Sequence, residues 1–450
     1  MANPMTRTAK DTSLLAEGGF RRFIKGRSEP VWMTGLREWA WQRFTHMEWP
    51  TPQEEEWRRT DLSGIDFASY VNNGNGHTSI GDDETPIEEE SMATGPYAGV
   101  IRFNGETCVQ LSLSRKYRGV RLCTLDQCVA EEPGPLQQIL MQGLNRIDNR
   151  LQAWHYSYLS HGAYLYVPRH LEIEEPFLLD FQGKSSFQGN GSFHSHGGTG
   201  LSVPEVIVRL DEGARASVIH RLQSRGSGQM LCNSGLHFQI SDSAALSYYA
   251  LQDLDESALC FSHGQASVAR DARLNYFQAE MGAALIKNRF ECILEGKGSE
   301  AFLGGVYLAR GRQHMDIRSV QRHHTPLATS RSFFKGAVRD SARTIYQGLI
   351  EVSPQAAKTD AYLTNRNLIL NEGARADSIP SLQIDTNDVK CSHGSTTGKV
   401  DREQLFYLMS RGLARAEAER LLVLGYFEEL LAGVPEILAE EVRALIQERI

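Results

Sequence analysis

Hydrophobic residues follow two different spacings along the chain. Between residues 32 and 44, apolar side chains recur at steps of three and four, and the same spacing returns in residues 136–159. Residues 100–111 instead alternate as in a strand. We therefore expect residues 1–159 to form a mostly helical region with a short strand segment. Within it, residues 74–92 are polar, acidic and rich in glycine, which predicts a mobile linker.

The pattern changes in residues 160–398. Apolar runs of four to six residues, such as 163–167 and 236–240, alternate with short breaks of Gly, Asp, Ser or Asn. No helical run of ten residues interrupts them. Many short strands without intervening helices predict an all-β architecture.

A weak internal repeat refines this prediction. The small residues Ala214, Ala244 and Ala272 each follow a polar turn and lie 30 and 28 residues apart. Such a period is typical of a parallel β-helix, in which each rung buries its core against its neighbours. Periodicity alone leaves a β-sandwich as an alternative.

Residues 399–450 return to helical spacing. Asp401 followed by Gln404 resembles a capping box in front of an apolar run. A second helix is expected over residues 414–431, and a third after Pro435, which is favoured in the first turn of a helix. We interpret this segment as a C-terminal helical domain.

Composition narrows the classes of function. The 450 residues carry a net charge of −8, which argues against nucleic-acid or anionic-membrane partners, since these require a basic face. There is no apolar run long enough to span a membrane and no apolar signal-peptide core, so we expect a cytoplasmic protein. The seven cysteines include no CxxC pair and fit free thiols in a reducing compartment.

The Gly- and Ser-rich segment 183–200 carries two weak motifs. Its Gly-Lys-Ser lacks the glycine five residues upstream that a P-loop requires, because Leu178 stands there. Any use of ATP must therefore come from a partner. His194 and His196 would be metal ligands only with a third ligand nearby, and a surface loop is the favoured interpretation.

A second group of histidines suggests a metal site less strongly than a structural role. His314, Asp316, His323 and His324 lie in a strand-and-turn region. Histidines at such positions often satisfy buried carbonyl groups or cap turns, so both interpretations stay open.

Acidic pairs raise the question of a polysaccharide-active enzyme. Asp340 with Glu351, or Asp360 with Asp377, would suit glycosidase or lyase chemistry on a β-helix. The absence of a signal-peptide pattern and the free thiols weigh against this class.

The densest group of chemically capable residues spans 385–398 and contains Cys391 and His393. Two residues apart on an extended segment, these side chains lie on the same face. Thiolate and imidazole are suitable ligands for iron or an iron–sulfur cluster, although two ligands do not complete a site. By chemistry alone, a core cysteine and a turn histidine are favoured.

Several motifs resemble the SufB/SufD family. Residues 388–398, Asp-Val-Lys-Cys-Ser-His-Gly-Ser-Thr-Thr-Gly, followed by residues 403–412, look like the C-terminal signature of that family, and the Cys-Ser-His-Gly form is similar to SufD. Other segments support the resemblance: Trp57-Arg-Arg-Thr-Asp-Leu62, Phe334-Lys-Gly, Gln347-Gly-Leu-Ile, Lys358-Thr-Asp-Ala, Asn367-Leu-Ile-Leu and Gly425-Tyr-Phe. Two departures are a less acidic run at residues 382–388 and an apparent insertion at 183–200.

The resemblance implies a right-handed parallel β-helix between helical terminal regions, and a non-ATPase scaffold subunit of a SufBCD complex. It implies a heterodimer with a SufB-like subunit through the β-helix, and docking of a SufC-like ATPase on the C-terminal helices. Iron acquisition and de novo cluster assembly would occur at the SufB interface, with His393 and Cys391 as ligands of a transient iron or cluster. No catalytic residue and no tightly bound cofactor are expected.

Two alternatives remain beside this expectation. One is a β-helix polysaccharide-active enzyme, and the other is a purely structural homodimer, which is also open for the isolated chain.

Overall fold

The computed structural model describes residues 13–70, 95–131, 133–184, 199–225 and 229–450. The predicted linker at 74–92, together with His194 and His196, lies outside these residues. No helix in the described part of the chain is long and apolar enough to cross a membrane.

The described residues form helices at both ends of the chain and strands between them. The helices are α1 (Glu17–Lys25), α2 (Val31–His46), a 3-10 turn (Phe67–Ser69), α3 (Leu125–Glu131), α4 (Pro133–Asn145), α5 (Arg150–Tyr158), α6 (Arg402–Ser410), α7 (Arg415–Leu431) and α8 (Glu436–Arg449). The strands are β1 (Gly99–Asn104), β2 (Thr107–Leu113), β3 (Arg121–Thr124), β4 (His161–Val167), β5 (Phe177–Lys184), β6 (Gly200–Ser202), β7 (Pro204–Leu210), β8 (Arg215–Arg225), β9 (Met230–Ile240), β10 (Ala245–Asp253), β11 (Leu259–Val268), β12 (Arg273–Glu280), β13 (Leu285–Leu294), β14 (Glu300–Ala309), β15 (His314–His323), β16 (Thr329–Val338), β17 (Arg343–Val352), β18 (Asp360–Ile369), β19 (Arg375–Ile384) and β20 (Lys390–Lys399).

Successive strands alternate between two sheets, which is the arrangement of a parallel β-solenoid. Sheet I has the order β2-β1-β5-β8-β10-β12-β14-β16-β18-β20, and sheet II has the order β19-β17-β15-β13-β11-β9-β7-β4-β3, with β6 beside β9. Apart from β1–β2 and β3–β4, the paired strands are parallel. The predicted mainly β fold, a parallel β-helix flanked by helices, is confirmed. Strands β1 to β3, which precede residue 160, belong to the same two sheets.

The repeat seen in the sequence marks one corner of the solenoid. Ala214 and Ala244 are fully buried, and each follows a residue in the left-handed backbone region, with φ of 67° at Gly213 and 58° at Ser243. The Gly213 N–H donates to the Asp242 carbonyl of the next rung. A small side chain is needed because the corner turns sharply against its neighbour.

The strands are longer than the apolar runs of four to six residues from which they were predicted, and most span about ten residues. Side chains that face the interior are mostly apolar, and many of the side chains that alternate with them on the outer face are polar. Polar residues on the outer face interrupt the apolar run without ending the strand. In β12, for example, the half-buried Asn275 stands between the buried Leu274 and Tyr276.

Helices cover the outer faces of both sheets. The N-terminal helices α1, α2, α4 and α5 share a buried aromatic cluster with sheet II, in which Trp154 and Phe261 take part. Helices α7 and α8 pack on sheet I, where Phe427 and Val442 join Phe277. Lys335 Nζ of β16 donates to the Tyr426 carbonyl of α7 at 2.6 Å, so the C-terminal helices are fixed to the solenoid.

Candidate functional site

Cys391 and His393 lie on β20, the last strand of sheet I. Cys391 is in register with Ala361 of β18, and His393 is in register with Leu363. Both residues of β18 are buried in the solenoid interior. Cys391 and His393 therefore project from the interior face of the final rung, on the same side of the strand.

The final rung is open because no described strand follows it. Strands β19 and β20 end the two sheets, and each has a hydrogen-bonded neighbour on one side only within the described chain. His393 is exposed and Cys391 is half-buried. Leu382 and Ile384 of β19 face the same layer and are 36% and 37% exposed. The rung that carries the candidate ligands thus presents core-type residues to solvent.

The electrostatic setting of Cys391 favours the protonated thiol. Burial raises its pKa, a hydrogen bond with the Ala361 backbone lowers it, and the nearby Asp360 carboxylate raises it again. A protonated thiol is a poor metal ligand, so binding would have to release a proton. In the described part of the chain, no group of three or more His, Cys, Asp or Glu side chains is spaced to hold a metal ion.

The histidines of β15 have structural partners. His314 Nε2 lies 3.1 Å from the Thr60 hydroxyl, and that hydroxyl donates to Asp316. Asp316 also accepts hydrogen bonds from Lys287 at 2.8 Å and from Gln347 at 2.9 Å. This network fastens the segment around Thr60 to the outer face of sheet II.

A hydrogen bond within the solenoid holds His323. Its Nε2 is paired with the Ser330 hydroxyl at 2.8 Å, and burial lowers its pKa to about 4. The neutral imidazole is therefore part of the interior packing. His324, the next residue, faces the outer side near the N-terminal helices.

The acidic pairs considered for polysaccharide cleavage are engaged in other contacts. Glu351 pairs with Arg322, and Asp377 with Arg343 at 2.8 Å. Asp340 accepts from the Gly311 N–H at 2.9 Å. Asp360 pairs with Arg331 at 2.9 Å. The described cysteines form no disulfide.

Sequence reasoning missed a buried polar cluster between α5 and sheet II. His155 of α5 and Glu205 of β7 are fully buried, and His155 Nε2 lies 2.7 Å from Glu205 Oε2. The Tyr156 hydroxyl is hydrogen-bonded to His237 Nε2 of β9 at 2.8 Å. The available signal was Glu205, a carboxylate directly before the apolar run Val206-Ile-Val208 of β7.

The hydrogen bonds of His155 determine which of its ring nitrogens carry protons. Its Nδ1 lies 2.8 Å from the Asn233 carbonyl, which accepts, so Nδ1 carries a proton. Nε2 then faces a carboxylate oxygen, and a second proton is required between the two atoms. Gly235 provides the space, because a Cβ there would lie 2.1 Å from Glu205 Oε2.

The C-terminal helices carry an exposed apolar surface, which we call the α6–α7 patch. Phe406 is 73% exposed, and Tyr407, Met409 and Leu421 are also exposed. Asp401 caps α6 by accepting from the backbone N–H groups of Glu403 and Gln404, as the capping pattern predicted. Large exposed apolar side chains on two neighbouring helices are typical of interaction sites.

The fold and the Cys-x-His strand define a helix-flanked parallel β-solenoid with an open terminal rung. The family model described as SUF system FeS cluster assembly, SufBD core domain, matches residues 193–426. An iron–sulfur cluster assembly SufBD family protein of Mycobacterium tuberculosis is 31% identical over 325 residues, covering 69% of this chain and 78% of that protein.

Two SufD proteins match over greater lengths. Iron–sulfur cluster assembly protein SufD of Escherichia coli is 26% identical over 410 residues, which cover 89% of each chain. SufD of Bacillus subtilis is 25% identical over 429 residues, covering 92% of this chain and 93% of that protein. The chain belongs to the SufBD family of iron–sulfur cluster assembly proteins, and its SufD-like character agrees with the Cys-Ser-His-Gly form of its last strand.

Proposed function

We propose that this chain is a non-ATPase scaffold subunit that supports iron acquisition and de novo cluster assembly at an interface with a SufB-like subunit. The observation that carries the proposal is the open terminal rung, where Cys391 and His393 stand among exposed core-type residues. In such a subunit, iron and sulfide are the cargo, and the reaction takes place between two chains.

The open rung supports a heterodimer formed through the solenoid. Edge strands carry unpaired backbone N–H and C=O groups on one side and readily accept a strand from another chain. Leu382 and Ile384 would lose their exposed apolar surface on pairing. Both β19 and β20 offer such edges, so a partner with a similar end would extend both sheets together.

The two donors support a shared ligand set. Cys391 and His393 supply one thiol and one imidazole, and iron–sulfur sites usually have four ligands. The remaining ligands would come from the partner chain or from sulfide. With the site at the interface, the isolated chain would hold no cofactor tightly.

The α6–α7 patch supports docking of a SufC-like ATPase. Phe406 and Leu421 offer an apolar surface, while α7 and α8 are anchored to sheet I by apolar packing and by Lys335. If the ATPase moved these helices, the movement would therefore be transmitted to the solenoid. Such coupling requires different contacts in two states of the complex.

Co-purification tests the proposal. The tagged full-length chain is co-expressed with a SufB-like protein and a P-loop ATPase, and the eluted subunits are weighed by native mass spectrometry. We expect a three-protein complex, and we expect Phe406→Ala to reduce ATPase recovery while SufB-like recovery is unchanged.

The matched control is Val31→Ala, which removes a similarly exposed apolar side chain from α2. It should leave both partners bound. Elution of the chain as a homodimer in the presence of both partners would contradict the proposal, as would equal losses in the two variants.

A further inference from the structure

A cavity of ≈370 Å³ lies between helices α4 and α5 and the outer face of sheet II, remote from the terminal rung. We call it the helix–sheet cavity. Residues that line it include Arg146, Tyr156, His237, His263, Arg289 and His324. Tyr156 and His237 connect its wall to the buried His155–Glu205 pair.

The carboxylates that line the cavity are already neutralised. Glu291 pairs with Arg289, and it also lies 3.4 Å from Arg322. Asp148 pairs with Arg289 as well. Each carboxylate is paired with a guanidinium group that also lines the cavity. Little negative charge therefore remains to attract a cation.

Several basic lining groups have no partner within the described chain. Among the described residues, Arg146 has no ion-pair partner, and His263 Nε2 is buried without a hydrogen-bond partner. His324 also lines the cavity, and no hydrogen bond of its ring occurs within the described chain. A buried, unsatisfied imidazole nitrogen carries a free-energy cost that a ligand acceptor would remove.

We propose that the helix–sheet cavity binds a small carboxylate or phosphate anion, with Arg146 as the principal charge and the His263 N–H as a buried donor. Arginine matches the geometry of both oxyanions, since its guanidinium can donate two parallel hydrogen bonds. The inference goes beyond cluster assembly at the terminal rung and does not depend on it.

The surroundings of His263 agree with this assignment. Its ring centroid lies 4.6 Å from that of His155, which shares a proton with Glu205. Burial lowers the pKa of His263, and the neighbouring His155 and His237 lower it further. The imidazole is therefore neutral when the cavity is empty, and a bound anion would balance the positive charge around it.

Isothermal titration of the full-length chain tests the proposal with two probes, inorganic phosphate and citrate. We expect saturable binding of at least one probe, and the stronger of the two identifies the ligand as a phosphate or a carboxylate. Arg146→Gln and His263→Asn should each weaken that binding about tenfold or more, as expected for loss of a charge-assisted hydrogen bond.

The control is Arg415→Gln, an exposed arginine on α7 far from the cavity, which should bind the probes as the unmodified chain does. Thermal melts establish that each variant is folded. Three results would overturn the proposal: no saturable binding of either probe up to about 10 mM, an affinity in the Arg146 and His263 variants equal to that of the unmodified chain, or His263-dependent binding of Zn²⁺ instead of the anions.

Discussion

The Nε2 atom of His155 lies 2.7 Å from Oε2 of Glu205, and both residues are fully buried. His155 comes from α5 and Glu205 from β7, so the contact joins the N-terminal helical layer to the outer face of sheet II. Because Nδ1 of the same ring is already bonded to the Asn233 carbonyl, the contact holds a shared proton.

Replacing Glu205 by alanine should destabilise the protein strongly. Removing one member of a buried charged pair leaves the other without compensation and typically costs about 3–5 kcal/mol. The measurement is a decrease in the melting temperature by differential scanning calorimetry. Glu205→Gln should lose less, because its amide can donate to a neutral His155.

The control is Glu419→Ala, which breaks an exposed helical pair with Arg415 and should change stability by less than about 1 kcal/mol. Equal effects of the two alanine substitutions would show that the His155–Glu205 contact does not fasten α5 to the sheet.

Glu280 should make stability depend on pH. Its side chain points into the solenoid, where burial raises its pKa to about 7 from an ordinary 4.5, against a hydrogen bond from Asn288. Between these values the folded state keeps a proton that the unfolded state releases. The free energy of unfolding therefore falls as pH rises through this window, by up to about 3 kcal/mol.

Glu280→Gln should remove this contribution while keeping an acceptor for Asn288. We expect the variant to be more stable than the unmodified chain at pH 8 and similar to it at pH 4.5, as measured by urea unfolding at both pH values. A constant difference between the two proteins across this range would contradict the assignment.

Gly336 is required by close packing inside sheet I. A Cβ at this position would lie 1.9 Å from Tyr307 Cε2 and 2.7 Å from Asn367 Oδ1. Gly336→Ala should therefore cost about 1–3 kcal/mol through overpacking, detected as a lower melting temperature. Gly398→Ala is the matched control on the last strand of the same sheet, because nothing lies within 4 Å of its Cβ position. Similar melting temperatures for the two variants would refute this packing argument.

The sequence predicted the solenoid because its corners repeat. Ala214 and Ala244 follow residues with left-handed backbone, and this local requirement recurs at each turn and is visible as a period. Strand lengths were underestimated because outward-facing polar residues hide the continuation of a strand.

The candidate site was only partly predictable. The Cys391–His393 spacing implied a shared face, but the exposure of that face depends on β20 being the last rung of sheet I. The His155–Glu205 contact could not be read from spacing, because 50 residues separate its members and the folded topology alone brings them together. Glu205 beside an apolar run indicated a buried carboxylate, but the sequence did not indicate its partner.

The most direct test of the account is the iron and sulfide content of the reconstituted three-protein complex with His393→Ala. We expect cluster content to fall sharply while subunit pairing is retained and stability changes by no more than about 1 kcal/mol, since the imidazole is exposed. Cys391→Ser should have a smaller effect, and His46→Ala, which removes an exposed imidazole from α2, should have none. Normal iron and sulfide content in the His393 variant would contradict the assignment of the open terminal rung as the assembly site.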